Sequence, residues 1–187
     1  MRPWLWEFMA WTAREWNQIQ DAWWWNFSCP PTVHCQRTRG LMRPSVKAAV
    51  WLGDPLCYRN QDEVLWRQSD ANAAAAKQSR ALERLPSGLT MRRGRCGAVA
   101  AERGGTTPFN LLPIANANSA NSAGSYGHGA GTPINLVDWW IRYIVPPDGL
   151  VLDPFVGSGT TAVAALNTGR KCVGIERDTE HGYFDIA

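Results

Sequence analysis

Between Leu150 and Glu176 the chain reads "LVLDPFVGSGTTAVAALNTGRKCVGIE", and no other stretch narrows its fold as sharply. "LVLD" is a continuous apolar run of the parallel-sheet type, "TTAVAALNTG" a small-residue helix closed by Gly169, and "KCVGIE" a second buried strand. Together they predict a β-α-β unit. The turn "DPFVGSGTT" places backbone N–H groups at a helix N-terminus, where Gly157 and Gly159 allow a tight bend and close ligand approach. A nucleotide-like ligand is expected there. No lysine follows until Lys171, which excludes a Walker loop. Gly157, Gly159 and Ala162 do fit the dinucleotide pattern, with Glu176 where a ribose-binding acid belongs. That pattern calls for several further strands, and only Arg177 to Ala187 follow, so a NAD-binding Rossmann protein ranks behind other readings.

Upstream, "TPINLVDWWIRYIVPP" predicts a helix with Thr132 as N-cap, Pro133 at its first position, and a double proline as terminator. Residues Pro86 to Gly131, rich in Gly, Ser, Asn and Ala, read as a long loop. From Ser69 to Leu85, an alanine-rich stretch reads either as a helix or as a solvated connector. "AAVWLGD" and "EVLW" read as short strands. From Pro3 to about Trp24, Trp4, Phe8, Trp11, Trp16 and Ile19 recur at helical spacing among Glu7, Arg14 and Glu15, predicting an amphipathic helix. With no strand before it, that helix reads as the start of a domain already under way.

A length of 187 residues suits one domain with a sizeable core. The net charge of +3 permits contact with nucleic acid without demanding it. Five cysteines, irregularly spaced and without a secretory leader, argue against a disulfide framework and for a reducing, cytoplasmic setting. No apolar run approaches membrane-spanning length. Cys29, His34 and Cys35 lack the paired spacing of a zinc site, so no metal is expected. Arg37, Arg39, Arg43 and Lys47 form a basic segment suited to DNA phosphates, or alternatively a solvated face.

The run Asp-Pro-Phe-x-Gly-Ser-Gly-Thr-Thr, with "HGAGTPINLVDWWI" before it, resembles the DNA amino-methyltransferases that modify adenine N6 or cytosine N4 with S-adenosylmethionine. The resemblance covers roughly the last third of the chain. It implies an α/β architecture, a partial Rossmann-like S-adenosylmethionine-dependent methyltransferase fold with an irregular recognition region. It places Asp153 near the methionine amino group, Phe155 against the adenine ring and Glu176 on the ribose hydroxyls. Pro154, Gly157, Ser158, Gly159 and Thr160 shape the turn, and the segment from His128 through Thr132 and Pro133 caps the pocket. A carboxylate suits an ammonium, an aromatic face a purine, and an acid a diol.

Members with the cofactor turn last are permuted: catalytic motif first, target recognition next. This order assigns residues 1–28 to a helical remnant of the catalytic half, 29–127 to target recognition and a flexible loop, and 128–187 to the cofactor-binding unit. The family's catalytic Asp/Asn/Ser-Pro-Pro-aromatic run has no match, since "SCPPT", "VPPD" and "GDPLCY" each fail it. The chain therefore reads as truncated at its start, with no catalytic residue to assign. Double-stranded DNA and a restriction endonuclease are the implied partners, in a restriction-modification or phage-like setting. The competing reading is a non-catalytic DNA-binding or cofactor-binding remnant.

Overall fold

A computed structural model describes residues 3–28, 42, 45–67, 82–84, 86–88, 90–92, 95–116 and 132–177. The chain divides into two compact units, one formed by Met1–Arg59 with Asn110–Ala187, the other by Asn60–Phe109.

In the first unit, α1 (Pro3–Glu15) leads into β1 (Gln18–Trp25), so the expected helix ends about nine residues early. The cause lies far along the chain. β1 pairs antiparallel with β2 (Val46–Leu52), from Gln18 opposite Leu52 to Trp25 opposite Val46, and parallel with β5 (Leu111–Pro113). Ala22 and Trp24 alternate inward and are buried, and the Trp24 indole N–H donates to the Ile114 carbonyl at 2.8 Å. Period-two burial with ladder bonds on both edges outweighs the helical spacing of the tryptophans. Nor does α1 bury its aromatic side chains. Trp4, Trp6, Phe8 and Trp11 are exposed, as is Trp16 just beyond the helix, while Thr12 is buried with its hydroxyl donating to the Met9 carbonyl.

The β-α-β unit is present as expected. β6 (Leu150–Asp153) pairs parallel with β7 (Lys171–Gly174), and α4 (Thr160–Asn167) connects them. The preceding helix α3 (Ile134–Ile144) starts one residue later than its sequence suggests, with Pro133 rather than Thr132 in the cap position. Ile141 of α3 meets the fully buried Ala164 and Ala165 of α4, and Val151 and Cys172 of the sheet pack against them. Alanine at both positions lets helix backbones and sheet approach closely. This covers one face of the strand pair. On the other, Leu150, Leu152 and Val173 are exposed, so the two-sided burial that continuous apolar strands imply is met on one side only among the described residues.

The ends of these elements are chemically fixed. Gly169 adopts φ 72°, its N–H donates to the Leu166 carbonyl, and the Arg170 N–H donates to the Ala165 carbonyl, the paired bonds of a Schellman cap. Arg170, buried, sends its guanidinium to the Val145 carbonyl at 3.0 Å and the Thr168 carbonyl at 2.6 Å. A cation thus sits on the C-cap carbonyls of both helices, Val145 at the end of α3 and Thr168 at the end of α4, where each helix dipole favours it.

The second unit departs further from expectation. The first half of "EVLW" belongs to a 3-10 turn, Asp62–Val64, and within the run only Trp66 makes a β-bridge, to Thr106. Gly105 makes that bridge possible, because a Cβ there would stand 2.6 Å from the Trp66 carbonyl oxygen. Leu82–Arg84 (β3) is a strand paired with Thr90–Arg92 (β4), not the tail of a helix. Within the expected Pro86–Gly131 loop lie β4, α2 (Arg95–Arg103) and β5. Averaged Gly and Ser content concealed "RCGAVAAER", which carries only one glycine. Residues 117–131 lie outside the described residues.

Candidate functional site

The β6–α4 turn is assembled from the ends of two neighbouring strands. Because β6 and β7 run parallel, their carboxyl ends bring Asp153 and Glu176 to one rim. The Ile175 N–H donates to the Asp153 carbonyl at 2.9 Å, and the Val156 N–H donates back to the Ile175 carbonyl at 3.0 Å. The turn is therefore stitched to β7 by its backbone. Gly157 and Gly159 adopt φ 53° and 85°, the left-handed region that favours glycine. Gly159 occupies the N-cap position of α4, and Thr160 is that helix's first residue.

Both carboxylates turn inward onto turn amides. Asp153 Oδ1 accepts from the Phe155 N–H at 2.9 Å, and Glu176 Oε2 accepts from the Gly157 N–H at 2.8 Å. Ser158 and Gly159 are buried, Asp153, Gly157, Thr160 and Glu176 are half-buried, and Pro154 is exposed. Phe155 is 87% exposed, a bare aromatic face beside two carboxylates. Such a rim can receive a ligand that combines a flat apolar ring with donors or positive charge.

Sequence reasoning missed the residue behind the turn. A Cβ on Gly174 would come within 2.9 Å of three Val156 side-chain carbons, so β7 needs glycine there for the turn to close down on it. The signal was present as one glycine inside the apolar run "KCVGIE". Beneath the turn, the Cys172 thiol is pushed above its usual range by burial and then by the nearby Asp153 charge.

Two of the other candidates fall among the described residues. Thr132 is exposed ahead of α3, and no hydrogen bond ties it to the turn among the described residues. Lys47 stands on β2 with its ammonium 4.6 Å above the Trp24 ring, a cation–π contact. Arg37, Arg39, Arg43, His128, Cys29, His34 and Cys35 lie outside the described residues. Among the described residues no group of His, Cys, Asp and Glu could hold a metal ion, and no helix is long and apolar enough to cross a membrane.

The Type II methyltransferase M.PvuII of Proteus hauseri is 38% identical over 87 residues, which is 43% of this chain and 26% of that protein. The putative methylase YubD of Escherichia coli K12 is 34% identical over 84 residues, covering 45% of this chain and 36% of that one. In three dimensions the chain is similar to the PvuII cytosine-N4-specific DNA methyltransferase, with a TM-score of 0.63 at 21% identity, over 94% of this chain and 52% of that one. It is also similar to M1.HpyAVI, solved as a complex with S-adenosylmethionine, with a TM-score of 0.56 at 16% identity, over 100% of this chain and 69% of that one. These likenesses establish a mixed α/β methyltransferase fold, and the chain spans about half the length of the PvuII enzyme. A profile of the N6/N4 DNA methylases matches residues 7–187, from within the first helix to the last residue, so the turn belongs to a match over nearly the whole length: the chain belongs to the N6/N4 DNA methylase family.

Proposed function

We propose that the β6–α4 turn binds S-adenosylmethionine and that the chain contributes this site to methylation of an amino group, adenine N6 or cytosine N4, in double-stranded DNA. The observation that carries the reading is the rim itself: a bare Phe155 ring beside two half-buried carboxylates on a left-handed glycine turn. S-adenosylmethionine, when bound, supplies an electrophilic methyl group on a sulfonium. The chain's residues do the holding. Phe155 offers its face to the adenine, Asp153 attracts the methionine ammonium, and Glu176 accepts from the ribose hydroxyls. Pro154, Gly157, Ser158, Gly159 and Thr160 set the turn, and Thr132 caps the pocket from the approach to α3. The similarity to M1.HpyAVI, whose complex contains this cofactor, supports the assignment.

The element order supports a permuted arrangement, since the helix and three-stranded sheet of β1, β2 and β5 all precede the cofactor unit. Residues 29–127 are then the target-recognition region, with Arg37, Arg39, Arg43 and Lys47 on the DNA backbone. Similarity to the Type II enzyme M.PvuII supports a restriction-modification setting with an endonuclease partner. Calorimetry with S-adenosylmethionine, its demethylated product and NAD tests the site. Binding of NAD alone refutes it.

One sequence observation favours a second reading, a non-catalytic cofactor-binding or DNA-binding remnant: no Asp/Asn/Ser-Pro-Pro-aromatic run occurs in the 187 residues. A tritiated-methyl transfer assay on unmethylated DNA separates the two. It compares this chain with a form extended through the upstream reading frame. Transfer by either form supports the enzyme, and transfer by neither supports the remnant.

A further inference from the structure

The first helix carries its largest side chains on the outside. In α1, Leu5, Met9 and Thr12 recur at i, i+4 and i+7 and are half-buried or buried, whereas Trp4, Phe8 and Trp11 recur at the same spacing on a neighbouring face and are 60%, 45% and 43% exposed. Trp16, just past the helix end, is 56% exposed and continues the row, with the Phe8 and Trp11 rings 6.0 Å apart and the Trp11 and Trp16 rings 6.2 Å apart. A large aromatic side chain offers about 150–250 Å², so four of them at about half exposure leave roughly 300–500 Å² of apolar surface in one row. That matches the apolar content of one side of a standard protein interface, which buries about 800 Å² per partner, a little over half of it non-polar. A continuous apolar patch of that size on a surface helix marks an interaction site.

We propose that this row is the contact surface for a second copy of the chain, the two α1 helices lying antiparallel across a two-fold axis beside Trp11. The charges along the row select this occupant and this direction. Glu7 and Arg14 are two helical turns apart and so share one edge of the row, both exposed and neither in an ion pair among the described residues. They also lie equally far on either side of an axis between Ala10 and Trp11. A two-fold axis there keeps each edge facing the same edge of the second copy, so Glu7 meets the second copy's Arg14, and symmetry repeats the pair. Trp11 stands against its own copy at the axis, and Trp4 reaches the end that carries Trp16. Glu15, the last residue of the helix, falls at the solvated rim of such a pair.

Sedimentation velocity of the full chain tests this. The wild-type chain is expected to sediment as a dimer at micromolar concentration. Trp11→Lys is expected to raise the dimer dissociation constant at least about thirtyfold, since a tryptophan at the axis is lost from both sides at once. Glu7→Arg, which sets like charges together at both symmetric positions, is expected to weaken the dimer about tenfold, and Glu7→Arg with Arg14→Glu to restore it. A wild-type chain that stays monomeric up to about 0.1 mM overturns the proposal. So does a dimer that Trp11→Lys leaves unchanged, which places the interface elsewhere. A dimer weakened by Glu7→Arg and not regained in the charge swap overturns the antiparallel register. Monomers that float with phosphatidylglycerol vesicles, and cease to in Trp11→Lys, assign the row to a membrane surface and overturn the dimer. Should Trp11→Lys fail to fold by circular dichroism, the charge pair decides, because both of its residues are exposed.

Discussion

Gly174→Ala tests how tightly the turn depends on the strand behind it. The new Cβ would lie 2.9 Å from Val156 Cβ, Cγ1 and Cγ2, well inside the ~3.5 Å at which carbon atoms ordinarily meet. Rotating Val156 relieves at most the two methyls, because its Cβ is fixed to the backbone. The backbone must therefore move, and it is held by the Val156 N–H to the Ile175 carbonyl and by the Val156 carbonyl to the Gly159 N–H, both at 3.0 Å. Overpacking of this kind costs about 1–3 kcal/mol, and each backbone bond weakened adds up to about 1 kcal/mol. We expect Gly174→Ala to destabilise the chain by about 2 kcal/mol in urea denaturation and to weaken S-adenosylmethionine binding at least severalfold in calorimetry. A double-mutant cycle sharpens the test. Val156→Ala keeps the offending Cβ and should restore little, whereas Val156→Gly removes all three contacts and should show a favourable coupling with Gly174→Ala. If Gly174→Ala costs less than about 0.5 kcal/mol, the level of an ordinary surface change, and leaves binding unchanged, the argument for a close-packed turn is wrong.

Arg170→Met keeps most of the buried stem but removes the cation from the Val145 and Thr168 carbonyls, so it should cost about 2–4 kcal/mol in chemical denaturation; a loss below about 1 kcal/mol would assign those bonds no net value. Burial, and then the Asp153 charge, push the Cys172 thiol above the ordinary thiol value of 9.0, so its contribution to stability is complete below about pH 9 and disappears as pH rises through the folded value. Its alkylation rate should accordingly climb at higher pH than that of an exposed thiol, and Asp153→Asn, removing the second of the two causes, should shift the profile back downward; a profile matching free cysteine refutes the burial. Asp148, at φ 60°, holds a left-handed position in the turn from Pro146 to Gly149, so Asp148→Gly should be neutral or stabilising by up to about 1 kcal/mol in thermal denaturation. A clear loss there would mean that the Asp148 side chain supports the turn.

The last third of the fold was legible because its signals are local and agree. In β6, α4 and β7 the apolar runs, the two turn glycines and the closing Gly169 all point to one answer within 25 residues. The first third was not. Trp16, Ile19 and Trp23 satisfy helical spacing, Ala22 and Trp24 satisfy strand spacing, and only pairing with residues 46–52 and 111–113 decides between them. Such pairing is invisible to a local window. In the site, the residue types were readable, but their present partners were not. Asp153 and Glu176 were singled out by the family resemblance and their residue type, whereas the bond across 19 residues from Glu176 to the Gly157 amide follows from how β6 and β7 pair. Gly174 was overlooked because a glycine in a strand announces a close neighbour without naming it.

The second unit, Asn60–Phe109, interrupts the first unit in sequence, and this bears on how the chain is made. β1 and β2 can pair early, but β1 cannot acquire its other neighbour until Leu111–Pro113 has left the ribosome, after the whole of the second unit. That unit, continuous in sequence, is free to fold during the wait. The β6–α4 turn follows, built from segments adjacent in sequence, whose short loops close quickly. Among the strand pairings of the described residues, the edge of β1 carrying Trp23, Trp24 and Trp25 therefore waits longest for its partner, and an unpaired edge of that kind is a place where a chaperone can act.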